Sequence, residues 1–316
     1  MAVGYTDSKY YKDIASMLTY TDPYTPLYDT MLKSILTSTI INNSDIKMVA
    51  SYVMRGNTTI KSFSAPNCTY IGNCAFSGCN SLTTVSLPNC TYIGSSAFAN
   101  CTKLTSISLP VCAFIESYAF YYCHGLTAIS LPRCLSISYN TFNQCSSLTS
   151  VFLPSCTYIE SYAFGSCTQL STVSLPLCFF IGAYGFNSCT ALTTVSLPII
   201  ISIWTGAFQY CTSLTTVSIL GCDYITNNVF SSCSKLTTVS LNMCRYIGSY
   251  AFYNCTSFKS IYLLRNSVCT LAASNAFTGC TALTSIYVPS HLLTSYKAAT
   301  NWTYFSAKMY STSLRG

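Results

Sequence analysis

The stretch Leu82-Thr83-Thr84-Val85-Ser86-Leu87-Pro88-Asn89-Cys90-Thr91-Tyr92-Ile93-Gly94-Ser95-Ser96-Ala97-Phe98-Ala99-Asn100-Cys101 decides the architecture. Its apolar positions return in the same phase every 22 residues: phenylalanine recurs at Phe76, Phe98, Phe120, Phe142, Phe164, Phe186, Phe208, Phe230 and Phe252, each followed three residues later by cysteine. One such unit cannot bury its own apolar side, so a fixed period of this length predicts a coiling chain whose turns stack.

Within the unit, Leu82 to Leu87 reads as a short strand, with Val85 and Leu87 inward and Thr84 and Ser86 outward. Pro88 ends it because proline has no N–H for a ladder. The Gly/Ser-rich half that follows is too short for a standard helix, so it predicts a brief second strand and then a tight corner at Ala97-Phe98. Stacked phenylalanines then form an aromatic spine inside the coil.

The run Ala97-Phe98-Ala99-Asn100-Cys101 through Leu104, Ile107, Leu109 and Pro110 resembles the BspA-type leucine-rich repeat, A-F-x-x-C-x-x-L-x-x-I-x-L-P followed by an I-G element. The likeness covers about three quarters of the chain, with a second cysteine column as its departure. It implies an α/β repeat, predominantly β: a leucine-rich-repeat solenoid, or superhelix, of about ten 22-residue coils with helical N- and C-terminal caps. It also implies adhesion to host proteins or surface glycans. Residues 288–302 resemble the terminal segment of such proteins, including ones from phage and prophage, and Tyr10 to Met31 resembles a module at the start of phage tail-associated proteins. The resemblance therefore points to a bacterial surface adhesin or a phage-tail-associated protein.

Charge is sparse, at 7% of residues, and the net +7 is scattered, which leaves no electrostatic footprint for nucleic acid. No run reaches the length of a membrane span. The first 18 residues carry Asp7, Lys9, Lys12 and Asp13 where an export signal needs an apolar core, so export by a particle, by lysis or by a non-classical route is expected.

Cysteine falls every 11 residues from Cys68 to Cys255, with Ile200 in one vacancy. Disulfides, a metal site and buried free thiols compete as readings. The length of the chain, the parallel direction of one column's side chains and the lack of C-x2-C pairs favour free thiols in the core, with no metal and no cofactor.

Ahead of the repeats, Thr25-Pro26 opens a helical pattern over Leu27, Met31, Leu32, Ile35 and Leu36. Ser44 to Gly56 predicts a second helix with Ile46, Val49, Ala50, Val53 and Met54 on one stripe. The division is then 1–56 as helical cap or attachment segment, 57–289 as repeats and 290–316 as helical cap.

For catalysis the supply of convergent polar groups is meagre. His124 follows Cys123, but consecutive residues at this corner point apart, so an enzyme is not expected. What varies is the corner around each Phe, where Tyr118, Tyr121, Tyr122, Tyr139, Tyr162, Tyr184, Trp204, Tyr210, Tyr250 and Tyr253 alternate with Ser, Asn, Gly and Gln. Tyrosine among small polar residues is the composition of antibody contact loops, which marks this edge as the candidate binding surface for a protein or glycan. The alternative is a spacer or assembly subunit whose residues 1–56 dock to a virion or filament component.

Overall fold

A computed structural model describes residues 38–312. The fold is a predominantly β, parallel solenoid of about twelve turns of about 22 residues. It divides into two compact units, Met1–Leu153 and Pro154–Gly316.

In the first unit the three-residue strands pair in register, coil upon coil. Ile41 lies opposite Phe63, Phe63 opposite Val85, and Val85 opposite Ile107, all inward-facing. The outward neighbours are polar, so the alternation read from Val85 is the buried-exposed pleat of the strand Thr84–Ser86. A second ladder of two-residue strands aligns Val49, Ile71, Ile93 and Ile115. The second unit repeats the plan, with Val173, Val195 and Val217 in one ladder and Ile181, Ile203, Ile225 and Ile247 in the other.

The core is a stack of rings. Phe76, Phe98 and Phe120 lie nearly parallel with centroids 5.1 and 5.4 Å apart. Phe186, Phe208 and Phe230 do the same at 5.4 and 5.7 Å. All twenty cysteines are free thiols, and only Cys74 is not fully buried. Their role is more specific than filling space. Cys101 Sγ donates to the Phe76 carbonyl at 3.1 Å, Cys123 to that of Phe98 at 3.1 Å, and Cys233 to that of Phe208 at 3.2 Å. The thiol gives each corner carbonyl a second donor, beside the backbone N–H of Cys79, Cys101 or Cys211 that it already accepts. In the other column the bond is local, as in Cys90 to the Tyr92 carbonyl at 3.2 Å. A local bond of this kind is dispensable, and that column is the one that tolerates Ile200.

Threonines of the strand face spend their hydroxyls on the stack. Thr83 donates to the Lys61 carbonyl and Thr105 to that of Thr83, and in the second unit Thr215 donates to that of Thr193. The monotony of that column is structural.

The helix predicted from Ser44 to Gly56 is not formed. Ile46, Val49 and Met54 occupy the positions of Cys68, Ile71 and Phe76 in a full preceding coil: Met48–Val49 is a strand, and Met54 N–H bonds the Ala75 carbonyl at 2.8 Å. The expected helix over Leu27 to Leu36 lies outside the described residues.

At the C-terminal end a helix does form at Leu293–Ala298, followed by a 3₁₀ turn, Trp302–Lys308. The buried Trp302 donates Nε1–H to the Cys269 carbonyl at 2.7 Å, and the Tyr296 hydroxyl accepts from Cys269 N–H at 2.9 Å. A strand not expected from the sequence, Met309–Thr312, then adds in parallel to Ser285–Pro289.

Candidate functional site

Each corner is built on two left-handed residues flanking the core phenylalanine. The position two before it holds Cys74, Ser96, Tyr118, Asn140, Tyr162, Tyr184, Gly206, Asn228 and Tyr250, and the position two after holds Asn100, Tyr122, Gln144, Ser166, Ser188, Tyr210, Ser232 and Asn254, all with φ between 54° and 66°. This twist keeps alternate N–H groups aimed up the stack. Tyr118 bonds the Tyr139 carbonyl, Phe120 that of Thr141, and Tyr122 that of Asn143, at 2.9 to 3.0 Å.

Glycine and asparagine suit this conformation; tyrosine does not. Yet among the described residues seven tyrosines adopt it: Tyr52, Tyr118, Tyr122, Tyr162, Tyr184, Tyr210 and Tyr250. Tyr52 joins the set only in the folded chain, because its segment, Ser44 to Gly56, reads as a helix in the sequence. It is exposed, with the Arg55 guanidinium 5.8 Å from its ring centroid.

In the first unit the predicted residues come together. Tyr118 meets Tyr121 and Tyr139 edge-on at 5.4 Å each, Tyr121 meets Tyr122 at 4.3 Å, and Tyr122 meets the His124 ring at 5.2 Å. Tyr118, Tyr121 and Tyr122 are half-buried by these contacts, whereas Tyr139 is exposed. Burial, with the neighbouring Tyr139 hydroxyl, raises the pKa of Tyr118. His124 Nδ1 lies 3.2 Å from Ser146 Oγ. The Cys123 thiol points the other way into the core, where burial pushes it up to about 12, so no Cys-His dyad exists.

In the second unit the predicted edge is interrupted. Tyr162 and Tyr184 stack at 4.9 Å, and Tyr250 meets Tyr253 edge-on at 5.5 Å. The Tyr184 ring lies over Gly206, where a Cβ would come within 2.5 Å of it, so the glycine at that corner is a seat for the tyrosine below. Trp204 leaves the edge and packs edge-on against Phe180 at 5.3 Å. Tyr210 stands exposed.

A strained backbone under an exposed ring gives a direct expectation. Replacing Tyr210 by Asn should relieve about 1 kcal/mol of left-handed strain while forfeiting little burial, raising the thermal midpoint by about 2 °C. A scanning-calorimetry midpoint that falls instead would contradict the strain.

The sequence matches the model of a family described as BspA type leucine rich repeat region (6 copies), over residues 27–132, 91–198 and 179–302. Among curated proteins no match is found. Solved structures with a similar trace include a leucine rich cell surface protein from Faecalibacterium prausnitzii A2-165, at 23% identity, covering 83% of this chain and 86% of that one with a TM-score of 0.41. A leucine rich repeat protein of T. pallidum shares 26% identity over 62% of this chain and 86% of its own, at a TM-score of 0.42. The pneumococcal vaccine antigen PcpA shares 17% identity over 87% and 80%, at 0.47.

Proposed function

We propose that this chain, which belongs to the BspA-type leucine-rich repeat family, is a non-catalytic adhesion or recognition protein that binds a host or cell-surface protein or glycan through its tyrosine-bearing corners. The observation that carries this reading is the placement of seven tyrosines at left-handed positions that serine, asparagine and glycine mostly fill elsewhere in the same stack. Each gives up on the order of 1 kcal/mol of backbone energy. At the exposed Tyr52 and Tyr210 little burial offsets that strain.

What the rings offer is contact area at low entropy cost. A tyrosine held by edge-on neighbours, as Tyr118 is by Tyr121 and Tyr139, has already lost its rotamer freedom before a partner arrives. The mixture of ring faces, hydroxyls and one imidazole suits a sugar ring or a polar protein surface.

The test is a Tyr118→Asn, Tyr121→Ser, Tyr122→Asn triple variant, in which asparagine preserves the left-handed corner. Attachment to epithelial-cell monolayers and to an arrayed glycan panel is measured against the unaltered protein. At least a tenfold loss with an undiminished melting temperature is expected. Equal attachment by the two proteins would remove this surface.

A further inference from the structure

The second unit carries a different surface on the side of its turns and short strands. Leu177, Phe179, Ile199, Ile201, Trp204 and Met243 each leave between 42% and 54% of their area exposed. Single exposed apolar side chains are ordinary, but here Leu177 and Ile199, and Phe179 and Ile201, follow one another coil upon coil in two neighbouring columns. Ile201 N–H bonds the Phe179 carbonyl, Asp223 N–H that of Ile201, and Arg245 N–H that of Asp223, at 3.0, 2.9 and 2.8 Å, so Phe179, Ile201, Asp223 and Arg245 form one row. Its rungs are about 4.8 Å apart. In the first unit the same row holds Thr69, Thr91, Ala113 and Leu135, so the repeat does not require the apolar character.

The row ends in charge. Arg245 Nε lies 2.9 Å from Asp223 Oδ1, and Arg265 Nη1 lies 3.8 Å from the same atom. Arg265 is further fixed by Ser267 Oγ at 2.6 Å and the Met243 carbonyl at 3.1 Å. These arginines, with Asn242, Met243 and Leu264, line a cleft of about 630 Å³ opened by the longer coil around residues 264–268. One carboxylate serves two guanidiniums, which leaves planar N–H donors facing the cleft and a net positive charge. Asp223 Oδ1 is sealed from solvent and held by these two ion pairs, so the guanidiniums and not the carboxylate face the cleft.

We infer that this row is a docking track for an extended segment of another protein, one whose apolar side chains lie over Phe179, Ile199 and Ile201 and whose acidic residue enters the Arg245–Arg265 cleft. Charge complementarity selects the occupant, because paired guanidiniums match a carboxylate in geometry as well as sign. A second copy of this chain fits poorly, since with 8 acidic residues and a net charge of +7 it repels itself and offers few carboxylates. The track is separate from the tyrosine corners, so either reading can fail alone.

The experiment pans a random 12-residue peptide library on the full-length chain, with counter-selection on a Phe179→Ser, Ile201→Ser, Arg245→Gln variant. Enriched peptides are expected to pair two or more large apolar residues with an Asp or Glu to one side. A labelled peptide of that consensus should bind about tenfold more weakly to Ile201→Ser and to Arg245→Glu, and equally well to the Tyr118, Tyr121, Tyr122 variant. Enrichment of basic or uncharged peptides, no enrichment over counter-selection, unchanged affinity in Arg245→Glu, or self-association of the unaltered chain that the triple variant abolishes would each overturn the inference. The altered side chains are exposed, so an unchanged melting temperature certifies each variant. Should the triple variant unfold, Arg245→Glu alone serves for counter-selection.

Discussion

Raising the pH from 8 to 10 is expected to unfold this protein without denaturant. A free thiol titrates near 9.0, whereas burial pushes Cys68, Cys134 and Cys178 to about 11 and Cys90, Cys123 and Cys189 to about 12. Burial raises Cys112, Cys222 and Cys233 further still. A raised folded pKa means that the folded state holds its proton where the unfolded chain has released it. The contribution is therefore complete below pH 9 and is lost as pH climbs toward the folded values. At pH 10 the loss is about 1.4 kcal/mol per thiol. The five such thiols of the first unit, Cys68, Cys90, Cys112, Cys123 and Cys134, together cost about 7 kcal/mol, which is of the order of the whole margin of a folded domain. Thiolate absorbance near 240 nm should stay low and then rise together with the loss of circular dichroism. A gradual thiolate rise in a protein that keeps its dichroism through pH 10 would show the columns to be accessible, contrary to their burial.

The same columns explain why so much of the fold was legible. Phe76 to Phe252, the cysteines at 11-residue spacing and the Leu-x-x-Val-x-Leu strand all occupy positions that point into the interior and take apolar side chains of nearly constant size, so periodicity and structure carry the same information. The N-terminal error came from aliasing. Residues 46, 49 and 54 sit at offsets 0, 3 and 8, which the coil uses for its cysteine, isoleucine and ring positions; on a helix at 100° per residue the same offsets also share one face. Nothing in Ile46, Val49 and Met54 distinguishes the two, and only the downstream phase does.

The candidate surface was legible in composition but not in conformation. That Tyr118, Tyr122 and Tyr210 belong to one edge follows from their phase, yet the left-handed backbone beneath them is signalled only in coils where glycine or asparagine takes their place, as at Gly206, Asn100 and Asn228. Trp204 was assigned to that edge by proximity in sequence, and its side chain instead reaches Phe180 on the neighbouring face. The apolar row from Phe179 to Ile201 escaped notice because its positions read as ordinary loop residues next to a cysteine column.

Removing one ring from the stack should be among the costliest single truncations in the second unit. Phe208 is fully buried, and its parallel neighbours Phe186 and Phe230 are 5.4 and 5.7 Å away. Phe208→Ala forfeits the transfer energy of the ring, leaves a cavity and breaks both stacking contacts. The first two together are worth about 3 to 5 kcal/mol and each contact about 0.5 to 1.5 more. The walls resist collapse, because the Phe208 backbone N–H is tied to the Val229 carbonyl at 2.9 Å and its carbonyl to the Cys233 thiol at 3.2 Å. Phe208→Leu, which refills most of the space, should cost less than half as much. Because each coil is stabilised mainly by its neighbours, the loss is expected to be local at first. Amide exchange should accelerate in the strands Ser202–Ile203, Thr216–Ser218 and Tyr224–Ile225 while those near Trp302 stay protected. If alanine and leucine proved equally mild in urea unfolding, the rings would be passengers of the β-ladders and not the spine that holds them in register.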